Sequence, residues 1–288
     1  SFYFSIGGML SLAIYGMHRY FETKKFGLRT FLTDGIRFLM PMLSAVLLGG
    51  LLLVPAAMAL GGSRGGKESM SLASLLIPQA PIFRFVYTPY GMGLTTIAIT
   101  MLITSLTYRK TSERVLSYGC ALVFAIPMFA YLLNGGLYIR DKVFIPFLPL
   151  ICYMMAVYLK KLGNREISFL KGMAPYLITI LLLYLGRGQE EYDGYWQFVM
   201  ADGILMAVLF AFYYYKDRRL PPVLILIPSL AFLILFNGVF HKISRQIEDG
   251  DFYQKVTDSK IAREIEEIQK DDPGFYRTVQ PGVEILHV

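Results

Sequence analysis

Apolar residues fall in long blocks along the first 240 positions, and short polar segments separate them. A bilayer core about 30 Å thick is crossed by about 20 mostly apolar residues in a helix. Eight stretches meet that requirement: 1–18, 37–60, 92–108, 115–134, 143–160, 170–186, 196–215 and 221–240. The third is short, and its Thr and Ser side chains can return hydrogen bonds to the helix backbone. The sixth opens with Lys171 and Pro175, and a proline is tolerated near a first helical turn. Within the cytoplasmic segment 21–36, FGLRTFLTDGI reads as a short amphipathic helix lying flat at the interface. Past position 240 the pattern changes. Ile261, Ile265 and Ile268 recur at helical spacing, Pro273-Gly274 stops that helix, and Phe275 to Val279 reads as a strand. The pattern therefore predicts an all-α integral membrane protein of about eight transmembrane helices. Residues 1–240 form its polytopic transmembrane domain, and the tail 241–288 begins an extracytoplasmic soluble domain.

The polar segments alternate in charge, and this orients the chain. One set holds Arg19, Lys24, Lys25 and Arg29; then Arg109, Lys110 and Arg114; then Lys160, Lys161, Arg165 and Lys171; then Lys216, Arg218 and Arg219. The intervening segments are poorer for their length, with Arg64, Lys67 and Arg84, then Arg140 and Lys142, then Arg187 beside Glu190, Glu191 and Asp193. Positive charge stays inside, so the first set faces the cytoplasm and the tail lies outside. The opening SFYFSIGGMLSLAIYG has no initiator Met, basic n-region or cleavage site. It is not a signal peptide, and we expect the chain to be a piece of a longer protein.

Composition agrees with a membrane setting. Hydrophobic residues make up 55% of the chain, charged residues only 17%, and the mean hydropathy is +0.49. A soluble domain has about 25% charged residues. The net charge of +7 could suggest nucleic acid, but the basic residues sit in topological clusters between spans, so no nucleic-acid partner is expected. Cys120 and Cys152 lie in apolar runs and read as small buried hydrophobes. His18, His241 and His287 are scattered and form no zinc pattern, so no metal site is expected.

Candidate chemistry concentrates in the outer segments. In Asn134-Gly135-Gly136-Leu137-Tyr138-Ile139-Arg140-Asp141-Lys142, the glycine pair permits positive φ. There Arg140 suits a phosphate or diphosphate, and Asp141 suits a sugar hydroxyl or the role of a base. The plain alternative is a solvated turn whose charges pair with one another. In the segment 61–91, Arg64 and Lys67 sit at the lipid boundary, where they can receive a lipid phosphate or simply snorkel. The segment around Glu190, Glu191 and Asp193, with Tyr192, Tyr195 and Trp196, reads as a solvated loop with an interfacial anchor. Inside the spans, Asp202 is the clearest ionisable group. An intramembrane carboxylate is a functional candidate, with hydration near the outer end of its helix as the rival. Asn237 can pair with a neighbouring helix.

Four stretches are similar to the bacterial YfhO-like membrane proteins, relatives of glycosyltransferases with the GT-C fold. They are Gly49 to Ala56 with Gly62-Ser63-Arg64, then Asn134 to Tyr138, then Lys142 to Leu150, and finally Asp271 to Arg277. The resemblance runs over most of the chain in order. It implies an inverting transferase in the bacterial cytoplasmic membrane. Such an enzyme takes a sugar from a polyprenyl-phosphate carrier and adds it to a cell-surface polymer such as a teichoic acid. It also implies that the catalytic acid lies in a loop preceding Ser1, so no catalytic residue is carried onto this sequence. Arg64, Tyr138, Arg140, Asp141 and Lys142 remain as candidates for substrate binding. Two rival readings stand beside it: a flippase or exporter of lipid-linked sugars, which needs a polar central cavity, and a membrane scaffold displaying the tail.

Overall fold

The computed structural model describes residues 2–63, 71–78, 85–87, 91–136, 139–188, 195–215 and 221–239. The tail, with its expected helix and strand, lies outside them. Ten α-helices occur among the described residues: α1 Phe2–Thr23, α2 Leu28–Ser63, α3 Leu72–Leu76, α4 Thr96–Ser105, α5 Thr111–Ala125, α6 Pro127–Leu133, α7 Leu148–Gly163, α8 Phe169–Leu185, α9 Trp196–Tyr215 and α10 Leu226–Val239. A 3-10 turn, Asp141–Phe147, leads into α7, and another, Pro222–Ile225, leads into α10. No strand longer than an isolated bridge is present among the described residues.

By length and composition, three helical runs can cross a membrane: Leu28–Gly49, Asp141–Gly163 and Trp196–Tyr215. A fourth is available if α5 and α6 act as one span, although they meet at 79°. The bend corrects the expected continuous helix 115–134. Its cause is Pro127, which disfavours helical geometry at the residue before it. Ile126 accordingly sits at φ −97°, ψ 113°, and α6 restarts with Pro127 at its first turn.

α2 also departs from expectation. The separate interfacial helix FGLRTFLTDGI does not form, because its apolar positions continue in phase into the following span. The result is one helix of 36 residues, about 54 Å long at 1.5 Å per residue. Leu28, Leu32, Ile36, Leu39, Leu43 and Leu47 are exposed along it. Such a face suits hydrocarbon and not water.

The core is built around α4. Its ten residues span only about 15 Å, half of a bilayer core, so the expected helix 92–108 is shorter than a span. Eight of the ten are buried, and α4 is packed by α5, α7, α8, α9 and α10. Ahead of it, residues 91–95 extend as irregular backbone, with Met92 and Leu94 buried. Phe85, Val86 and Tyr87 are likewise buried. Tyr87 N donates to Leu94 O (2.9 Å) and Leu94 N to Phe85 O (2.7 Å). Irregular backbone at membrane depth survives only where protein covers it, and here it is covered. α8 lies along α9, and α1 lies against α5 and the 141–147 turn. Cys120 is buried, whereas Cys152 is exposed on α7, contrary to its expected burial; it falls on the outward face of that helix.

Candidate functional site

The chain reverses after α6 through two consecutive left-handed glycines, Gly135 (φ 73°) and Gly136 (φ 72°). Gly135 N donates to Leu132 O (3.0 Å) and Gly136 N to Tyr131 O (2.9 Å), which closes the helix end. Side chains with a Cβ strain at such φ values, so the glycine pair sets the direction of the turn. Past it, Arg140 is extended and exposed, and Asp141 and Lys142 are half-buried in the first turn of the 3-10 segment. All three take part in polar or electrostatic interactions within the protein. Val143, Phe144 and Phe147 are buried directly beneath them. Phe144 packs on Phe85 and Phe124 at 5.6 and 5.4 Å between ring centroids, and Phe124 on Phe147 at 5.5 Å. On the other side, the backbone of Gly7 in α1 approaches Val143 O and Pro146 closely. The charged triplet is therefore carried by a turn stapled into the core. Arg64 and Tyr138 lie outside the described residues, as does the acidic segment 189–194.

The segment Phe85–Tyr87 links that turn to a second feature. Tyr87 has φ 57°, a value rare for a bulky residue and characteristic of strained functional backbone. Its hydroxyl donates to Asp202 Oδ2 at 2.7 Å. Thr96 donates to the same oxygen twice, from Oγ1 at 2.5 Å and from its backbone N at 3.2 Å. Asp202 is completely buried, so the hydration rival is removed. Its Oδ1 has no hydrogen-bond partner among the described residues, and the buried Ser229 hydroxyl lies beside the carboxyl and Tyr87. From here a seam of buried hydroxyls runs through the bundle. Thr100 Oγ1 lies 3.1 Å from Thr179 Oγ1, and the Tyr158 and Tyr176 hydroxyls are 3.3 Å apart. The side chain of Asn237 lies outside the described residues.

The expected cytoplasmic segments gather at the other end of the bundle. Lys161 Nζ bridges Glu113 Oε1 and Glu166 Oε2, each at 3.1 Å, and stands 4.8 Å over the Tyr108 ring. Arg165, with φ 56°, donates to the carbonyls of Tyr213 and Tyr214 at 3.2 and 2.8 Å. His18 is buried and lies 2.9 Å from Ser112 O. A carbonyl only accepts, so Nδ1 carries a proton, and Nε2 lies 3.0 Å from the Tyr153 hydroxyl. His18, Tyr108, Glu113, Tyr153, Lys161 and Glu166 line a cavity of about 680 Å³ bounded by α1, the α4–α5 connection, α5 and α7. Sequence reading oriented this end but assigned it no chemistry. The cavity is assembled from four stretches of chain, and no local spacing announces it.

Hydrogen bonds from Asn164, and then from Lys161, hold the Glu166 carboxyl below its ordinary range. A depressed carboxylate contributes stability above its unfolded pKa and loses it as pH falls through the folded value. Glu166 is exposed, so the contribution is small. Replacing Glu166 with Gln should lower the melting temperature slightly at neutral pH and leave it unchanged in acid, where the wild-type carboxyl is protonated, so the profile flattens. A neutral melting temperature equal to wild type would contradict this.

No family model, curated protein or solved structure matches this chain. Function must therefore be argued from the groups themselves.

Proposed function

We propose that this chain is part of a polytopic membrane glycosyltransferase in the bacterial cytoplasmic membrane. It takes a sugar from a polyprenyl-phosphate carrier and delivers it to a cell-surface polymer such as a teichoic acid. In this reading eight segments cross the bilayer, counting α5 with α6 and α4 with the extended residues 91–95 ahead of it. The end bearing Lys161 and Arg165 faces the cytoplasm, and the 134–142 turn and the tail face outside.

The observation that supports it is the stapled turn. Two cations and a carboxylate, Arg140, Lys142 and Asp141, stand on backbone anchored by Phe144 and Phe147. A phosphate that leaves from a lipid carrier at the membrane boundary needs fixed cations, and an acceptor hydroxyl needs a nearby carboxylate. Groups on a rigid support stabilise developing charge without reorganising. The similarity to YfhO-like proteins over Asn134 to Tyr138 and Lys142 to Leu150 points to the same turn.

The test is sugar transfer in isolated membranes from a radiolabelled polyprenyl-phosphate sugar. Arg140→Ala at normal expression should lower transfer about tenfold, the effect of losing one charge-assisted bond. Arg140→Lys should recover only part, because the ammonium lacks the bidentate fork. Unchanged transfer in Arg140→Ala would remove the residue from the site.

The buried hydroxyl seam favours a second reading, export of a lipid-linked sugar. It is distinguished by movement of a labelled lipid-linked sugar across vesicles without transfer to an acceptor.

A further inference from the structure

Residues from the start of α5 and from the start of α8 line a second, smaller hollow of about 330 Å³, which shares the Lys161 wall with the larger cavity. Its volume is at the lower end of small-molecule sites, about 300–1,000 Å³. Its charges do not cancel. Arg109, Lys110, Lys161 and Lys171 line it, and so do Glu113 and Glu166, so four cations stand against two carboxylates. Lys161 bridges both carboxylates at 3.1 Å, and Asn164 also donates to Glu166. The other three cations have no hydrogen bond or ion pair among the described residues. The field of Lys110 is the weakest of the influences that lower Glu166. All three are exposed, so a ligand reaches them without opening the core. The backbone adds to the same field. The N-cap residues of the two helices, Lys110 and Ser168, make no side-chain capping bond, and a helix N-terminus carries roughly half a positive charge that favours anions. Snorkelling accounts for a cation at a membrane boundary. It does not account for three that converge from two separate segments on one hollow.

We propose that this hollow binds a phosphate monoester. Arg109 presents the planar fork that grips two phosphate oxygens, and Lys110 and Lys171 supply point charges beside it. The surplus of positive charge matches a phosphate monoester, which carries about −1.5 to −2 at pH 7. A phosphate diester or a carboxylate carries less and leaves part of the surplus unmet. The same group is offered by a lipid with a terminal phosphate or by a small free phosphate ester. The lipid source rests on the membrane setting of this end; the chemistry of the hollow does not. Glycosyl transfer is not involved, so either proposal can fail alone.

The test uses the whole protein purified in detergent, with bound ligands counted by native mass spectrometry. Phosphatidic acid should bind about tenfold more tightly than phosphatidylglycerol, the worth of one further charge-assisted hydrogen bond. Arg109→Gln should abolish that preference, and Lys171→Ala should reduce it. Both side chains are exposed, so both variants keep the fold. Lys25→Ala removes an exposed cation that does not line the hollow and should leave the preference unchanged. Glycerol 3-phosphate supplies the head group without the acyl chains. Arg109-dependent binding of glycerol 3-phosphate without a phosphatidic acid preference assigns the site to a free ester, and the preference without such binding assigns it to a lipid. Equal binding of the two lipids together with no Arg109-dependent binding of glycerol 3-phosphate overturns the proposal. So does a preference that Arg109→Gln leaves intact, or one that Lys25→Ala removes equally.

Discussion

Asp202→Ala should cost about 3 kcal/mol of stability or more, whereas Asp202→Asn should cost about 1 kcal/mol. The alanine removes the acceptor shared by three buried donors: the Tyr87 hydroxyl, the Thr96 hydroxyl and the Thr96 backbone N. Each buried group stranded in this way costs about 1–3 kcal/mol. Removing a buried carboxylate that has no cation beside it returns part of that loss, which holds the total near the lower sum. Asparagine keeps one oxygen for the three donors and puts its NH2 where Oδ1 has no partner among the described residues. Tyr87 also loses the anchor that holds it at φ 57°, so the buried 85–87 segment should open in Asp202→Ala. Reversible unfolding in mixed micelles measures both variants. Equal losses for Ala and Asn would show that the three donors do not define the role of Asp202.

The second large effect is expected at Gly172, where α8 meets α9. A Cβ built there would overlap the Phe210 ring, with Cε2 2.7 Å and Cε1 3.0 Å away. Phe210 is fully buried and cannot swing out. Its ring lies 5.2 Å from Tyr176 and 6.2 Å from Phe169. Alanine gains about 1 kcal/mol over glycine in helix propensity, but overpacking a closed core costs about 1–3 kcal/mol. Because the overlap is deep, we expect Gly172→Ala to lose about 2 kcal/mol net. Phe210→Leu removes the ring and should rescue Gly172→Ala, so the double variant should lose less than the sum of the singles. Additive losses would mean that the ring is not the obstacle.

Some of this architecture is legible along the chain. Apart from Gln197 and Asp202, the run from Trp196 to Tyr215 is apolar and begins and ends where the helix does, because burial and lipid exposure both demand apolar residues there. The alternation of lysine and arginine between blocks separated the two ends of the bundle, and the structure gathers Lys161, Arg165 and His18 with Glu113 at one of them. Asp202 stood out because a carboxylate in an apolar block is costly.

What was hidden depends on contacts far apart in sequence or on one local bend. Hydropathy cannot show where helical backbone begins within an apolar block, so 92–108 read as one helix although α4 has only ten residues. Its threonines face other helices and not lipid. Pro127 marked the break between α5 and α6, but an apolar block conceals a kink that leaves its composition unchanged. The partners of Asp202, Tyr87 and Thr96, come from more than a hundred residues away. No residue spacing around Tyr87 announces its contact with a carboxylate on α9. At the candidate turn, the glycine pair correctly marked positive φ. The aromatic staple beneath it, Phe85 with Phe124 and Phe144, joins three separate stretches and had no local signature.

Both functional readings require the Arg140 turn and the Lys160 edge to lie on opposite sides of one bilayer. Cysteine accessibility tests this directly. In a Cys152→Ala background, with buried Cys120 retained, single cysteines replace Arg140 or Lys160. A membrane-impermeant maleimide should label position 140 in intact cells and position 160 only after permeabilisation. Labelling of both positions from the same side would contradict the account.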